Sequence, residues 1–226
     1  MISIVIPTRD EPYIGKLIEE INQRLAAPHE IIVVDKSSTP PQLAGARLIR
    51  QQSNGLGAAI VEGFKAAQGD ILVVMDGDGS HDPAYLDSMA KFIRDYDIVI
   101  GSKYVPGGST EDYPGRILVS RAFNLFVSAF LGLRVKDCMS GFAMIRRGLV
   151  EELVLRPRGY KIVLEIMYKG VKWKGAKIKE IPVMFRKRQA GKSKVGFNLA
   201  GFREAVRIAV LALSLKFGRD TGGSGA

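Results

Sequence analysis

The chain of 226 residues carries 33 lysines and arginines against 23 aspartates and glutamates, a formal net charge of +10, and is 46% apolar. That length and apolar content support one domain, or one domain with a small appendage. A single cysteine excludes an internal disulfide and fits a reducing compartment, and with only two histidines beside it zinc is a poor fit.

Taken in order, ISIVI is expected as a first strand. It meets Pro7 and then charge, without the basic start and longer apolar core of a signal peptide. An amphipathic helix follows near Tyr13 to Leu25, EIIVV is a second strand ending at Asp35, and a helix spans Leu56 to Ala67. The Gln68-Gly69-Asp70 turn leads to a third strand, ILVVM; Pro83 starts another helix, and DIVIG follows at Asp97. Short β-rich runs separated by helices predict a parallel sheet with both faces covered. Ligands of such sheets sit beyond the C-terminal strand ends. Those ends are Pro7-Thr8, Asp35-Lys36-Ser37, Asp76-Gly77-Asp78 and Gly101-Ser102-Lys103.

Beyond Gly101 the pattern changes. KYVPGGSTEDYPG reads as a loop, Arg116 to Leu131 as a buried helix interrupted by Ser120, Arg121 and Asn124, and FAMIR and KIKEIPVMF as strands. RKRQAGKSKVG is a basic glycine-containing loop, Leu199 to Phe217 a final helix, and DTGGSGA a flexible tail. The expected organisation is a catalytic α/β domain over 1–198, an amphipathic helix over 199–217 and a tail over 218–226. On a helical wheel Phe202, Val206, Ala209 and Leu213 oppose Arg203, Arg207 and Ser214, which suits packing on the domain or lying in a membrane interface. Neither apolar helix is long enough to span a bilayer.

The positive excess calls for a polyanion: nucleic acid, an acidic membrane or phosphorylated substrates. It is weighted toward GVKWKGAKIKE and FRKRQAGKSK, with no nucleic-acid motif and no interleaved aromatic residues. Nucleic acid is therefore not expected as a partner.

MDGDGSHDP, residues 75–83, carries the sharpest chemistry. Asp76 and Asp78 lie two apart beyond a strand, where oxygen ligands can converge on Mg²⁺ or Mn²⁺. The downstream glutamate of an EF-hand is missing, and an acidic turn without metal is the alternative. Ser80 reads either as a ligand or as a helix N-cap near Pro83. Asp82 belongs in the first turn of the following helix, and His81 reads as a packing or supporting residue.

The ordered set PTRDE, VVDKSS, NGLGAA and MDGDGSHDP resembles the nucleotide-diphospho-sugar (GT-A) fold of family-2 glycosyltransferases. GSKY, RILVSRAFN, DCMSGFAMIRR, GYKIVLEI and EIPVMFRKRQAGKSK extend the likeness, over about residues 2 to 198, to dolichol-phosphate mannose synthases and their polyprenyl-phosphate relatives. The resemblance implies donor binding by Pro7, Thr8 and Glu11, with Asp10 where asparagine is usual. It implies nucleoside contact by Asp35, with Lys36 where a second aspartate is common. Asp76, Asp78 and Ser80 match the metal-diphosphate motif. Arg116, Ser120 and Arg121 match the acceptor helix, and Arg186, Arg188, Ser193 and Lys194 the acceptor loop; Lys103 replaces a more usual arginine. Asp137, Ser140 and Gly141 match the family's D-x-x-S-G element, with a polar turn shaping the cleft floor as the alternative, and Glu165 matches an acid for which a structural ion pair competes with catalysis.

The activity so implied is an inverting, metal-dependent transfer of mannose from GDP-mannose to dolichyl or polyprenyl phosphate, with Asp78, Arg116, Arg121 and Lys194 as the catalytic set. Two alternatives stay open: UDP-glucose or another donor, and a sugar-hydroxyl acceptor, for which Asp137 could serve as base. A membrane surface is the expected partner, with the chain peripheral on the cytoplasmic face or a truncated form of a membrane-bound protein.

Overall fold

The computed structural model describes residues 1–156, 161–188 and 199–218, the side chains of 199–204 excepted. The first half is built around three buried strands, β1 (Ile2–Thr8), β2 (His29–Asp35) and β4 (Ile71–Val74), with β3 (Arg47–Arg50) beyond β2. Helix α1 (Ile14–Arg24) buries Ile14, Leu17, Ile18 and Ile21 against one face. Helix α2 (Leu56–Ala66) covers the other face with small residues; a Cβ on Gly63 would come within 2.2 Å of Val5, so only glycine permits that approach.

A 3₁₀ turn (Pro83–Tyr85) and α3 (Leu86–Phe92) lead to β5 (Ile98–Ser102), then to a two-residue strand β6 (Ser109–Thr110). The remaining elements are α4 (Pro114–Leu131), β7 (Ala143–Arg146), α5 (Arg147–Glu151), α6 (Ile162–Lys174), β8 (Ile178–Pro182), β9 (Met184–Phe185) and α7 (Leu199–Phe217). The seven-stranded sheet runs β3-β2-β1-β4-β7-β5-β8, and β6 pairs with β9 in a separate ribbon. All neighbours in the large sheet are parallel except β7, which is antiparallel to both β4 and β5.

Four expectations change. Arg47–Arg50 adds an edge strand, so MDGDGSHDP follows the fourth strand, not the third. FAMIR joins the sheet antiparallel, and the expected loop after Gly101 contains β6. The wheel of the last helix is also re-read: Ile208, Ala212 and Leu215 are buried in the core with Val127 and Leu131 of α4, whereas Val206, Ala209 and Leu213 are exposed. Phe202 and Arg203 lie outside the described side chains, and the tail from 219 lies outside the described residues.

Helix α4 has two unlike faces. Asn124, Val127, Ser128 and Leu131 are buried, while Leu118, Val119, Leu125 and Phe126 are exposed. Phe130 bridges to α7 through an edge contact with Phe217, and Lys216 donates to the Phe130 carbonyl. With Val206, Val210, Leu213 and Phe217, the two helices present a shared apolar surface. Among the described residues no helix is long and apolar enough to cross a membrane.

Candidate active site

The site forms where the strand order reverses about β1, so that the ends of β1, β2 and β4 face one crevice. At the end of β1 the chain turns through Asp10, whose φ of 51° is left-handed. Asparagine tolerates that region better than most residues, and aspartate shares the tolerance. The Asp10 amide donates to Ser37 Oγ at 2.7 Å, tying the turn to the end of β2.

Asp35 is fully buried. Its carboxylate accepts from Thr8 Oγ1 at 3.2 Å, from the amide and hydroxyl of Ser37, and from Arg50. With those partners it braces the crevice wall instead of lying open to a nucleoside, and Arg50, which also donates to the Ser37 carbonyl, covers it. Lys36 points elsewhere: its ammonium donates to the Ser53 carbonyl and Asn54 Oδ1, pinning the loop before α2. Glu62 holds the same loop by accepting the Gln52 and Ser53 amides at 2.9 and 2.8 Å.

The turn after β4 is shaped by two glycines. Gly79 has φ of 76°, and a Cβ on Gly77 would lie 2.9 Å from the Thr8 methyl, so the turn lies directly on the end of β1. The Asp78 side chain is 7% exposed; its Oδ1 accepts the Ser80 amide at 3.0 Å and its Oδ2 lies 3.0 Å from Arg188 Nε. Asp76 is more open, with 37% of its side chain exposed. Ser80 is not a helix cap. Asp82 takes that place, accepting the Ala84 amide at 3.0 Å, so it precedes the helical turn instead of lying in it.

Among the described residues Ser80 Oγ is buried with no hydrogen-bond partner, an orphan in the turn that carries Asp76 and Asp78. That donor set of two carboxylates and a hydroxyl fits a hard divalent cation completed by substrate phosphates. Among the described residues no group of three His, Cys, Asp or Glu side chains comes together as a metal cage.

The second half of the chain closes over this turn. Arg186 donates its amide to the Ser80 carbonyl at 3.0 Å and its guanidinium to Asp82, which Arg24 also approaches at 3.9 Å. Lys103 extends over the Phe185 ring, 4.6 Å from its centroid, while its amide donates to Asp137 Oδ2. Asp137 is 2% exposed, and among the described residues its Oδ1 has no hydrogen-bond partner; burial raises its pKa against the pull of Lys103. Ser140 donates to the Gly101 carbonyl at 2.7 Å, and Gly141 lies beside the Asp76 carboxylate. The Asp137–Gly141 turn thus lies between the end of β5 and the acidic turn after β4.

On α4, Arg116 pairs with Asp112 at 3.4 Å and Ser120 lies beside the buried Tyr104. Arg121 is exposed, roughly 140° around the helix from Arg116 at 100° per residue. Asn124 anchors the helix by accepting the Met139 amide at 3.0 Å. Glu11 turns back to accept the Tyr13 amide at 3.3 Å, and Pro7 is buried within β1. Ser193 and Lys194 lie outside the described residues. Glu165 is remote from the turn in its bonding: it pairs at 2.7 Å with Lys169, both buried, and accepts the Arg156 amide. Those bonds are the ones a structural ion pair makes. Cys138 is buried, and burial pushes its thiol up to about 12, so it is inert as a nucleophile.

Sequence reading did not find the Asp82–Arg186 and Asp35–Arg50 pairs, because each joins elements whose adjacency no local pattern encodes. The aromatic shell of Phe142 and Phe185 around His81 was equally hidden, although Phe185 directly precedes the basic loop.

Comparison with known proteins places this geometry in context. The profile of "Glycosyl transferase family 2" matches residues 3–154. A dolichol-phosphate mannosyltransferase of Pyrococcus furiosus is 35% identical over 216 residues, covering 86% of this chain and 59% of the relative. An undecaprenyl-phosphate mannosyltransferase of Micrococcus luteus is 33% identical, covering 68% of this chain and 66% of the relative. The chain thus spans about three fifths to two thirds of the length of these curated relatives. The crystal structure of glucosyl-3-phosphoglycerate synthase from Mycobacterium tuberculosis with Mn²⁺, UDP-glucose and phosphoglyceric acid superposes with a TM-score of 0.72 at 21% identity, over 95% of this chain and 79% of that one. Mannosyl-3-phosphoglycerate synthase from Rubrobacter xylanophilus gives 0.69 at 20%, over 100% and 77%. The sheet, its antiparallel member and these superpositions are those of the GT-A fold.

Proposed function

The chain belongs to glycosyl transferase family 2, and from that membership we propose that it transfers mannose from GDP-mannose to the phosphate of a dolichyl or polyprenyl phosphate, with inversion. One observation carries the reading. The basic segment after β9 is bound to the acidic turn after β4, through Arg186 on Asp82 and Ser80 and through Arg188 on Asp78. A phosphate nucleophile needs that juxtaposition of cations beside an anionic donor.

In this reading Asp76, Asp78 and Ser80 hold Mg²⁺ or Mn²⁺. When bound, the ion offsets the negative charge that develops on the departing diphosphate. Pro7, Thr8 and Glu11 line the donor crevice, with Asp35 and Arg50 bracing it. A lipid monophosphate already carries negative charge near neutral pH, so no base is required to generate the nucleophile. The obstacle is repulsion from the donor. Lys103, Arg186, Arg188 and Arg116, with Ser120, Arg121, Ser193 and Lys194, offset that repulsion and orient the acceptor.

The exposed apolar residues of α4 and α7 support peripheral attachment to a membrane, with Arg121 and Lys216 beside the headgroups, and the cytoplasmic face is the side this reading assigns. A different donor, UDP-glucose among them, is the second reading, kept open by Lys36 standing where a second aspartate is common in the family.

The test is transfer from radiolabelled GDP-mannose or UDP-glucose to a short polyprenyl phosphate with Mg²⁺ or Mn²⁺. Lipid-linked mannose from GDP-mannose is expected. Asp78→Asn should lower the rate by about 10²–10³-fold with an unchanged melting temperature. Absence of lipid-linked sugar with every donor would overturn the reading.

A further inference from the structure

The last ladder bond at the end of β4 runs from the Met75 amide to the Val5 carbonyl. The next amide, Asp76, has left the sheet and must find another acceptor. It donates to Nδ1 of His81 at 3.0 Å, so the turn from 76 to 81 closes on itself through one side chain. The imidazole is 3% exposed, stacked on Phe142 with centroids 4.9 Å apart and met edge-on by Phe185 at 5.4 Å. Because Nδ1 accepts, the ring proton resides on Nε2, which faces Asp76 Oδ2 at 3.9 Å. One neutral ring therefore touches both ends of Asp76, its amide and its carboxylate. The two phenyl rings fix the plane of the imidazole, and Gly141 fits beside its Cε1, leaving little room for the ring to turn.

We propose that His81 is a positioning residue for divalent-cation binding, anchoring the Asp76 amide through Nδ1 and so aiming the Asp76 carboxylate at the ion. The proposal rests on the reading of Asp76 and Asp78 as the cation site. His81 does not ligate the ion, because one nitrogen is engaged and the other carries the proton. Its role is the one supporting partners play around metal ligands, where loss commonly costs about 10–100-fold in metal affinity.

Two measurements test it. The chain has only two histidines, so a long-range ¹H–¹⁵N spectrum of the unsubstituted protein at pH 7 reports the His81 ring directly. An unprotonated Nδ1 with a protonated Nε2 is expected; a proton on Nδ1 overturns the proposal, whether or not any variant folds. The second is Mn²⁺ affinity by electron paramagnetic resonance with GDP present, alongside melting temperature in EDTA. His81→Asn sets an amide oxygen near the Nδ1 position, His81→Gln carries its amide to the Nε2 end, and His81→Phe keeps the stack without an acceptor. Affinity should fall about tenfold or more in His81→Phe and His81→Gln and stay within about threefold in His81→Asn. Unchanged affinity in His81→Phe, or equal loss in all three variants with unchanged melting in EDTA, overturns the proposal. If the unsubstituted protein binds no Mn²⁺ with GDP or UDP, the cation-site reading itself fails, and the proposal with it.

Discussion

Arg188 Nε lies 3.0 Å from Asp78 Oδ2, so a cation from the basic segment already rests on a carboxylate proposed to hold the divalent ion. Metal and guanidinium compete for one group, and the entry of the ion should free Arg188 for the acceptor phosphate. The pair is partly exposed and is worth about 0.2–1 kcal/mol. Arg188→Ala should therefore tighten Mn²⁺ binding by up to about fivefold while slowing transfer. Calorimetric titration with Mn²⁺, set against the transfer assay, checks this. Weaker binding in the variant would mean that Arg188 supports the site.

Glu165 and Lys169 form a buried pair inside α6, and the Lys169 ammonium also donates to the Val154 carbonyl. Removing one partner strands a charge, which typically costs about 3–5 kcal/mol. Lys169→Met alone should destabilise by that order in urea, and adding Glu165→Gln should recover part of the loss. The turnover of the folded fraction should not change, which separates a structural pair from a catalytic one.

Asp137 gives a pH dependence. Burial raises its folded pKa above the ordinary 3.8, so the folded state holds a proton more tightly than the unfolded chain. The stability it contributes is present at acid pH and is lost as pH rises through the raised value. Asp137→Asn carries no charge to desolvate. The variant should have a higher urea midpoint than the unsubstituted protein at pH 7, and the gap should close toward pH 4.

The apolar surface of α4 and α7 predicts vesicle binding. Phe126 and Val210 are 63% and 59% exposed, so replacing them should leave the core intact. Burial of each large apolar side chain contributes about 1.5–3 kcal/mol. Phe126→Asp combined with Val210→Asp should lower sedimentation with anionic vesicles by about tenfold or more, at nearly constant melting temperature. Undiminished sedimentation would place attachment elsewhere.

The acidic turn was legible because its meaning is local: a run of buried β-formers ending in Asp-x-Asp. The strands ISIVI, EIIVV and ILVVM were legible for the same reason, being almost continuously apolar and largely buried on both sides. RLIR was not, since an edge strand flanked by arginines has neither alternation nor continuous apolarity. The direction of FAMIR was closed to sequence reading, because the same apolar run suits a parallel or an antiparallel neighbour. Asp35 shows a subtler limit. Its place at a strand end was correct, yet whether it faced ligand or protein depended on Arg50, which reaches it from the next strand over. For α7, neither face that the wheel set apart is the one that meets α4; a third stripe, Ile208, Ala212 and Leu215, is buried there instead.

The position of β7 has a consequence for how the chain must fold. β4 and β5 do not touch; the strand between them is Ala143–Arg146, from much later in the sequence. During synthesis, the acidic turn and its strand are made well before the neighbour that closes their open edge. Until then β4 has pairing on one side only, and β5 cannot join the sheet. The stretch from β1 to β5 should therefore not mature as a free-standing unit, and a cut between 103 and 113 should yield two aggregation-prone fragments in place of two domains.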